Sequence, residues 1–354
     1  MGELFDVLSS KKIFNANKID NIYNKQIKNT YPYIVRKTID NGLKGYIKEN
    51  EKYLNDGNTL SFAQDTFTVY YQKEKFFTGN RVKILKPKFS NVKHNVMIIL
   101  TTLIQKQLEK LSWGDSSTIE SINKTNFYLP TKNGKIDFEF MENFVTELEA
   151  QRVTELEAYL TVTNLKDYQL TTEEEKTLDN FTHFEWKEYR IGDLFESENG
   201  NFDIQKKHIN NKGINVITAG LNSNGILGKS DVNAKIFKEK TITIDMFGNC
   251  FYRNFKYKMV THARVFSLIP KIKITDKIGI FLANSLTYLS NKFGYENMCS
   301  FVKIKDKKIK LPIKNGKIDF EYMETFISAI QKLVIKDVVE WTDKKIKLTK
   351  QVIN

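Results

Sequence analysis

Gly228-Lys229-Ser230 carries the last three residues of a phosphate-binding loop and is the first place to look for chemistry. That loop wraps phosphates with backbone N–H groups and needs a further glycine at position 223, where this chain has Ser223. The corresponding place in the first half, Gly45-Tyr46-Ile47, has no lysine. An amino-methyltransferase carries Asn/Asp-Pro-Pro-aromatic, and no Pro-Pro dipeptide occurs. A nuclease of the Pro-Asp … (Asp/Glu)-x-Lys type needs a Pro-Asp start, which is also absent, so Glu174-x-Lys176 and Glu185-x-Lys187 read as solvated surface. His94, His183, His208 and His262 make no zinc-ligand pattern with one another or with Cys250 and Cys299, and read as surface or lone polar contacts. The sequence therefore predicts no catalytic site and no metal site.

A binding surface is better supported. Aromatic, amide and basic residues interleave in QDTFTVYYQK (64–73) and in FGNCFYRN (247–254). Amides can bond adenine edges and arginine guanine edges in a DNA major groove, while lysines neutralise phosphates. Polar positions in these segments and the loops around them give a candidate DNA-contacting set. In the first half it is Lys37, Asn41, Lys44, Gln64, Tyr70, Tyr71, Lys73 and Arg81. In the second it is Lys206, Asn222, Asn224, Lys229, Asn249, Tyr252, Arg253 and Arg264. An offset of 182 pairs Tyr70 with Tyr252 and Tyr71 with Arg253. The plainer alternative for both segments is a hairpin with a half-buried aromatic face. The lysine-rich run 301–310 reads as a Lys-guarded edge strand, or as a track for a phosphate backbone.

These positions belong to a duplicated chain. LPTKNGKIDFEFME (129–142) returns as LPIKNGKIDFEYME at an offset of 182 (311 − 129). Each copy has an extended piece ending at Leu-Pro, an Asn-Gly tight turn, and then an apolar 3.6-residue period opened by Asp137 or Asp319 as N-cap. One helix is predicted over 136–160, about 37 Å long at 1.5 Å per residue. Its apolar face holds Met141, Phe144, Leu148 and Leu156; the C-terminal counterpart holds Met323, Phe326, Ile330 and Val334. Inside the first helix VTELEA occurs twice, at 145–150 and 153–158, so one unit of eight residues adds roughly 12 Å of rod. Packing the two helices antiparallel would bury both faces and give a dumbbell.

The globular parts repeat as well. GELF (2–5) matches GDLF (192–195), NGLKG (41–45) matches NGILG (224–228), and TLSF (59–62) matches TITI (241–244). Strands are expected over 31–35 and within 58–71, turns at Asn41-Gly42 and Asp56-Gly57, and a helix over 96–111 with its counterpart at 278–293. Residues 161–183, with Glu173, Glu174 and Glu175, read as a polar linker.

Composition sets the frame. With 354 residues and 41% hydrophobic side chains the chain can form two domains with real cores. A net charge of +13 fits an anionic partner, although a Lys-, Asn- and Ile-rich chain from an AT-rich genome would carry it too. Two cysteines without CxxC fit a reducing cytoplasm. The start has no signal-peptide pattern, and the longest apolar run, 96–104, is about half the roughly 20 residues that span a bilayer. A cytoplasmic protein with no membrane partner is expected.

The motifs together resemble the specificity subunits of type I restriction-modification systems, and the related recognition subunits of type IIB cutters that cleave on both sides of their site. The resemblance spans nearly the whole chain. It rests on GELF (2–5) and WKEYRIGDLF (186–195), on the Leu-Pro … Asn-Gly-Lys-Ile-Asp-Phe-Glu phrase at both domain ends, and on the spacer helices. It implies an α+β fold of two target-recognition domains with mixed and antiparallel sheets, related by tandem duplication and separated by two long antiparallel helices. The expected division is 1–130 and 184–311 for the recognition domains, 131–183 for the central helix and linker, and 312–354 for the C-terminal helix. It also implies a non-catalytic subunit whose partners are double-stranded DNA with a bipartite site, a methyltransferase subunit in two copies and in some complexes a restriction subunit. S-adenosylmethionine would sit on the methyltransferase and no cofactor on this chain. Repeat units in the central helix of the family set the gap between half-sites, and residues 145–158 resemble that device. The first half departs from the pattern by lacking a counterpart of the segment before Ile191-Gly192. The rival reading is a protein-interaction scaffold of the same architecture, for example one masking a toxic nuclease.

Overall fold

The computed structural model describes residues 1–90, 93–109 and 118–353. The chain divides into two compact units, Met1–Glu155 and Leu156–Asn354.

In the first unit the strands are β1 (Phe5–Ser9), β2 (Tyr31–Ile34), β3 (Leu43–Ile47), β4 (Thr59–Ala63), β5 (Thr68–Gln72), β6 (Phe77–Thr78) and β7 (Val82–Pro87). Four of them form an antiparallel sheet in the order β1-β7-β4-β5. The others form a mixed sheet, β3-β2-β6, in which β2 runs antiparallel to β3 and parallel to β6. Helix α1 (His94–Leu108) buries Val96, Met97, Leu100, Ile104 and Leu108, a stripe at helical spacing. The stripe joins Leu60, Phe62, Val69 and Leu85 in one core, where each such side chain contributes roughly 1.5–3 kcal/mol. Then follow α2 (Ile119–Lys124), the short pair β8 (Thr131–Lys132) and β9 (Lys135–Ile136), and α3 (Phe138–Val162).

The second unit opens with α4 (Thr172–Asp179), β10 (Trp186–Arg190) and α5 (Ile191–Leu194). It continues with β11 (Phe195–Asn199), β12 (Ile214–Ile217), β13 (Ile226–Ser230), β14 (Thr241–Ile244), β15 (Cys250–Arg253), β16 (Tyr257–Met259) and β17 (Phe266–Pro270). It closes with α6 (Asp276–Ser285), α7 (Phe301–Ile304), β18 (Lys308–Lys314), β19 (Lys317–Ile318) and α8 (Phe320–Ile353). Its sheets, β11-β17-β14-β15 and β13-β12-β16, repeat the strand orders of the first unit. Even the irregularity recurs, with a register shift at Tyr33/Ile34 and another at Val216/Ile217. The duplication is therefore a duplication of fold.

The repeated phrase folds alike in both copies. Asn133-Gly134 and Asn315-Gly316 have φ of 52° and 74°, and of 54° and 76°, the left-handed pair of a tight hairpin. Asp137 Oδ1 accepts the Phe140 N–H at 2.8 Å, and Asp319 Oδ1 accepts the Tyr322 N–H at 2.9 Å, capping the two long helices.

Four expectations change. The helix read over 96–111 starts at His94, and Leu111 lies outside the described residues. Its counterpart is shorter than 278–293, because α6 ends at Ser285 and a 3-10 turn, Thr287–Asn291, follows. The polar linker contains α4, whose Glu174 is 5% exposed and bonded to Lys332 of α8 at 3.0 Å. The run 301–310 is not one strand: Phe301–Ile304 is helical, and only residues 308–310 are extended, paired with β10, while β19 pairs with Ile313 and Lys314 further along β18. In the first unit no strand stands where β10 does among the described residues, and residues 126–130 form none; the Met1 amino group meets the Thr125 carbonyl at 2.6 Å.

Candidate nucleic-acid interface

The geometry that most clearly repeats is a left-handed turn between the two strands of each mixed sheet. Asp40, Asn41 and Gly42 have φ of 53°, 53° and 73°; Ser223, Asn224 and Gly225 have 49°, 52° and 73°. Each non-glycine residue in this region costs roughly 1–2 kcal/mol, so the surroundings must hold it there. They do so identically at the rim: the Val35 N–H donates to the Gly42 carbonyl and the Thr218 N–H to the Gly225 carbonyl, both at 2.8 Å. A Cβ at Gly225 would lie 2.8 Å from the Thr218 carbonyl oxygen, which together with the positive φ reserves the place for glycine.

From inside, a buried polar side chain holds each turn. Gln72 Nε2 donates to the Asn41 carbonyl and to Ser61 Oγ, each at 3.0 Å. Arg253 donates to the Asn224 carbonyl at 2.7 Å through Nη2 and to Thr243 Oγ1 at 2.9 Å through Nε. The strand registers explain the match, since Thr59 pairs with Gln72 and Thr241 with Arg253. The offset here is thus 181 (253 − 72), not 182, and Arg253 corresponds to Gln72 while Tyr252 corresponds to Tyr71. One residue of slip exchanges the faces of a strand. Arg253 is therefore no exposed reader: it is 2% exposed, it makes no ion pair among the described residues, and burial brings its guanidinium down to about 10.

The tyrosines next to these residues lie on the helices. The Tyr71 ring centroid is 5.4 Å from that of His94, and its hydroxyl donates to Asn58 at 2.6 Å. Tyr252 covers Gly279 of α6, where a Cβ would fall 2.1 Å from the ring, and donates to Asp276 at 2.7 Å. Burial, reinforced by Asp276, pushes its hydroxyl pKa up. Asn249 is half-buried in a knot around Asp245, its amide 2.9 Å from Oδ2. All three are half-buried and bonded within their own units.

Exposed among the expected residues are Asn41, Lys44, Lys73 and Arg81 in the first unit, and Lys206, Asn222, Asn224, Lys229 and Arg264 in the second. Lys37 is partly withdrawn, paired with Asp40 and donating to the Leu43 carbonyl at 3.3 Å. Gln64 is half-buried, and Tyr70 lines a cleft of about 550 Å³ with Ile34, Asp40, Asn41, Leu43 and Gln72.

Arg81 and Arg264 occupy matched loops, both with positive φ, 57° and 48°. Asp65 accepts from Arg81 at 2.7 Å and also pairs with Arg36, and neither Asp65 nor Arg36 is in the set expected from sequence. Their signal was only a charge in a polar loop. In the second unit Asp203 fastens the loop instead, through the Thr261 hydroxyl at 3.2 Å and His262 Nδ1 at 2.5 Å. The His262 hydrogen bond holds the Asp203 carboxyl down to about 2. Arg264 has no ion-pair partner among the described residues.

The helix-face residues divide. Met141 and Met323 are fully buried in the cores of their own units, so neither is free for another subunit, and Phe326 is half-buried against the second core. Phe144, Leu148 and Val334 are exposed at 49%, 41% and 74%, while Leu156 and Ile330 are half-buried. Among the described residues no cluster of His, Cys, Asp and Glu is arranged to hold a metal.

A chain of two repeated α+β units matches a known family. The profile of the type I restriction modification DNA specificity domain matches residues 1–158 and 184–340. The chain belongs to this family. It is 23% identical over 342 residues, 95% of its length and 94% of the relative's, to the specificity subunit S.BcgI of a type II restriction enzyme from Heyndrickxia coagulans. Among solved structures it resembles the S subunit of a type I restriction-modification system from M. genitalium, with a TM-score of 0.58 and 15% identity over 99% of this chain and 92% of that one.

Proposed function

We propose that this specificity subunit makes no bonds itself and directs a methyltransferase subunit, in two copies, to a bipartite double-stranded DNA site, each unit reading one half. S-adenosylmethionine would be bound by the methyltransferase, and a restriction subunit would join in a cutting complex in the cytoplasm. The observation that carries the reading is that one loop-tip framework recurs in both units, while the charged groups around it differ (Asp65 with Arg36 and Arg81, against Asp203 with His262). Two readers of different sequences would be built that way. The net charge of +13 supplies the sequence-independent attraction to phosphates.

The residues exposed on α3 and α8, among them Phe144, Leu148, Leu333, Val334 and Trp341, are apolar surface for the methyltransferase. The experiment is co-purification with the methyltransferase of the same system, followed by mapping of methylated adenines on a plasmid library. A two-part motif with a fixed gap is expected. A stable complex without sequence preference would favour the scaffold reading instead.

A further inference from the structure

We propose that the left-handed turns at 40–42 and 223–225 are the matched base-reading tips of the two units, each presenting an asparagine to an A·T pair, with Gln72 and Arg253 as the buried positioning residues. The inference rests on the bipartite reading given above and assigns one base pair of each half-site to a named residue.

Four observations converge on it. Three consecutive residues of positive φ occur at both turns, and such strain persists only where the fold over-determines it. The middle carbonyl of each turn is gripped from inside by a buried donor, an amide in one unit and a guanidinium in the other. Two chemistries that converge on one atom point to the conformation of the turn as the thing retained. The side chains that this conformation carries, Asn41 and Asn224, are exposed and make no hydrogen bond among the described residues. Exposed aliphatic residues precede both turns, Ile39 at 61% two residues before Asn41 and Leu221 at 69% three residues before Asn224. A free carboxamide can bond adenine N6 and N7 together, and an aliphatic side chain suits the thymine methyl group, so the pair of features selects A·T over G·C.

The test is selection from a randomised duplex library by the full-length chain, alone and with the methyltransferase subunit of the same system, at one moderate salt concentration. The wild type should return a two-part motif with an A·T pair at one place in each half. Asn41→Ala should lower the preference for that pair roughly tenfold in one half only, and Asn224→Ala should do so in the other. Arg253→Leu should lose the same pair as Asn224→Ala, and Arg253→Gln, which restores the donor used in the first unit, should recover it. Unchanged preferences in both asparagine variants would overturn the inference while leaving the bipartite reading intact. A loss spread over the whole half-site in Arg253→Leu would show a merely structural role and overturn the positioning claim. No two-part motif from the wild type in either form would instead sink the bipartite reading itself.

Discussion

Arg253 shows how a residue's chemistry is decided by the face of the strand it lands on. In FGNCFYRN it has the type and neighbours of a guanine reader, yet register turns it inward, where it replaces a glutamine rather than a tyrosine. No rule of composition or period reports a slip from 182 to 181, because the segments agree too weakly to fix an alignment to one residue. The aspartates were legible for the opposite reason: an N-cap is a local device, readable from Asp followed by an apolar helical period. Asp319 is the more buried of the two, at 9% exposed, and Asp319→Ala should cost about 1 kcal/mol through the orphaned Tyr322 N–H. Chemical denaturation compared with the wild type measures it; an unchanged midpoint would mean that the N-terminal turn of α8 is held by its packing alone.

At the scale of elements, the strands over 31–35 and within 58–71 and the two long helices were legible because each follows the period of its pattern or lies next to a turn signal. Helix α4 was not. Three successive glutamates in a short polar stretch resemble solvated linker, and what orders them lies far away in sequence: Thr171 and Glu174 form a reciprocal capping box, and Glu174 then receives Lys332 from α8. Lys332 also donates to the Gln169 carbonyl at 2.8 Å, and the Tyr322 hydroxyl to the Thr177 carbonyl at 3.3 Å, so the segment is strapped along α8. Burial raises the Glu174 carboxyl, but the Thr171 N–H, Lys332 and Ser328 outweigh it and leave the folded value below the ordinary one. The stabilisation is therefore fully present above the ordinary glutamate range and is lost as pH falls through the depressed folded value. For Lys332, burial lowers the ammonium pKa while Glu174 and Asp167 more than restore it, so its share persists until strongly alkaline pH. Glu174→Gln should lower the melting temperature by a few degrees at pH 7 and reduce the fall of stability on acidification. A mutant curve parallel to that of the wild type down to pH 3 would show that another carboxylate governs the acid limb.

For the whole molecule, duplication separates what must be kept from what can vary. The strand orders, the left-handed turns and the capped helices recur, while the groups that fasten the Arg81 and Arg264 loops do not, as expected if one scaffold carries two sequence preferences. The same logic applies inside α3, where VTELEA occurs twice with Gln151-Arg152 between the copies. Val145 is 7% exposed, and deletion of residues 145–152 would bring Val153 to the place of Val145 and Leu156 to that of Leu148. The packing of the first unit would thus meet the same side chains, and the helix would be shorter by roughly 12 Å, about 3 to 4 base pairs of duplex. If α3 sets the separation of the half-sites, the deletion should shorten the gap in the methylated motif by that amount and leave both half-site sequences unchanged. Methylation mapping with the deletion variant measures both quantities at once. A motif with the old gap would remove α3 from the role of spacer, and a changed half-site would assign residues 145–152 to base reading, which their acidic neighbours Glu147 and Glu149 argue against, since carboxylates repel the phosphates on either side of any base they approach.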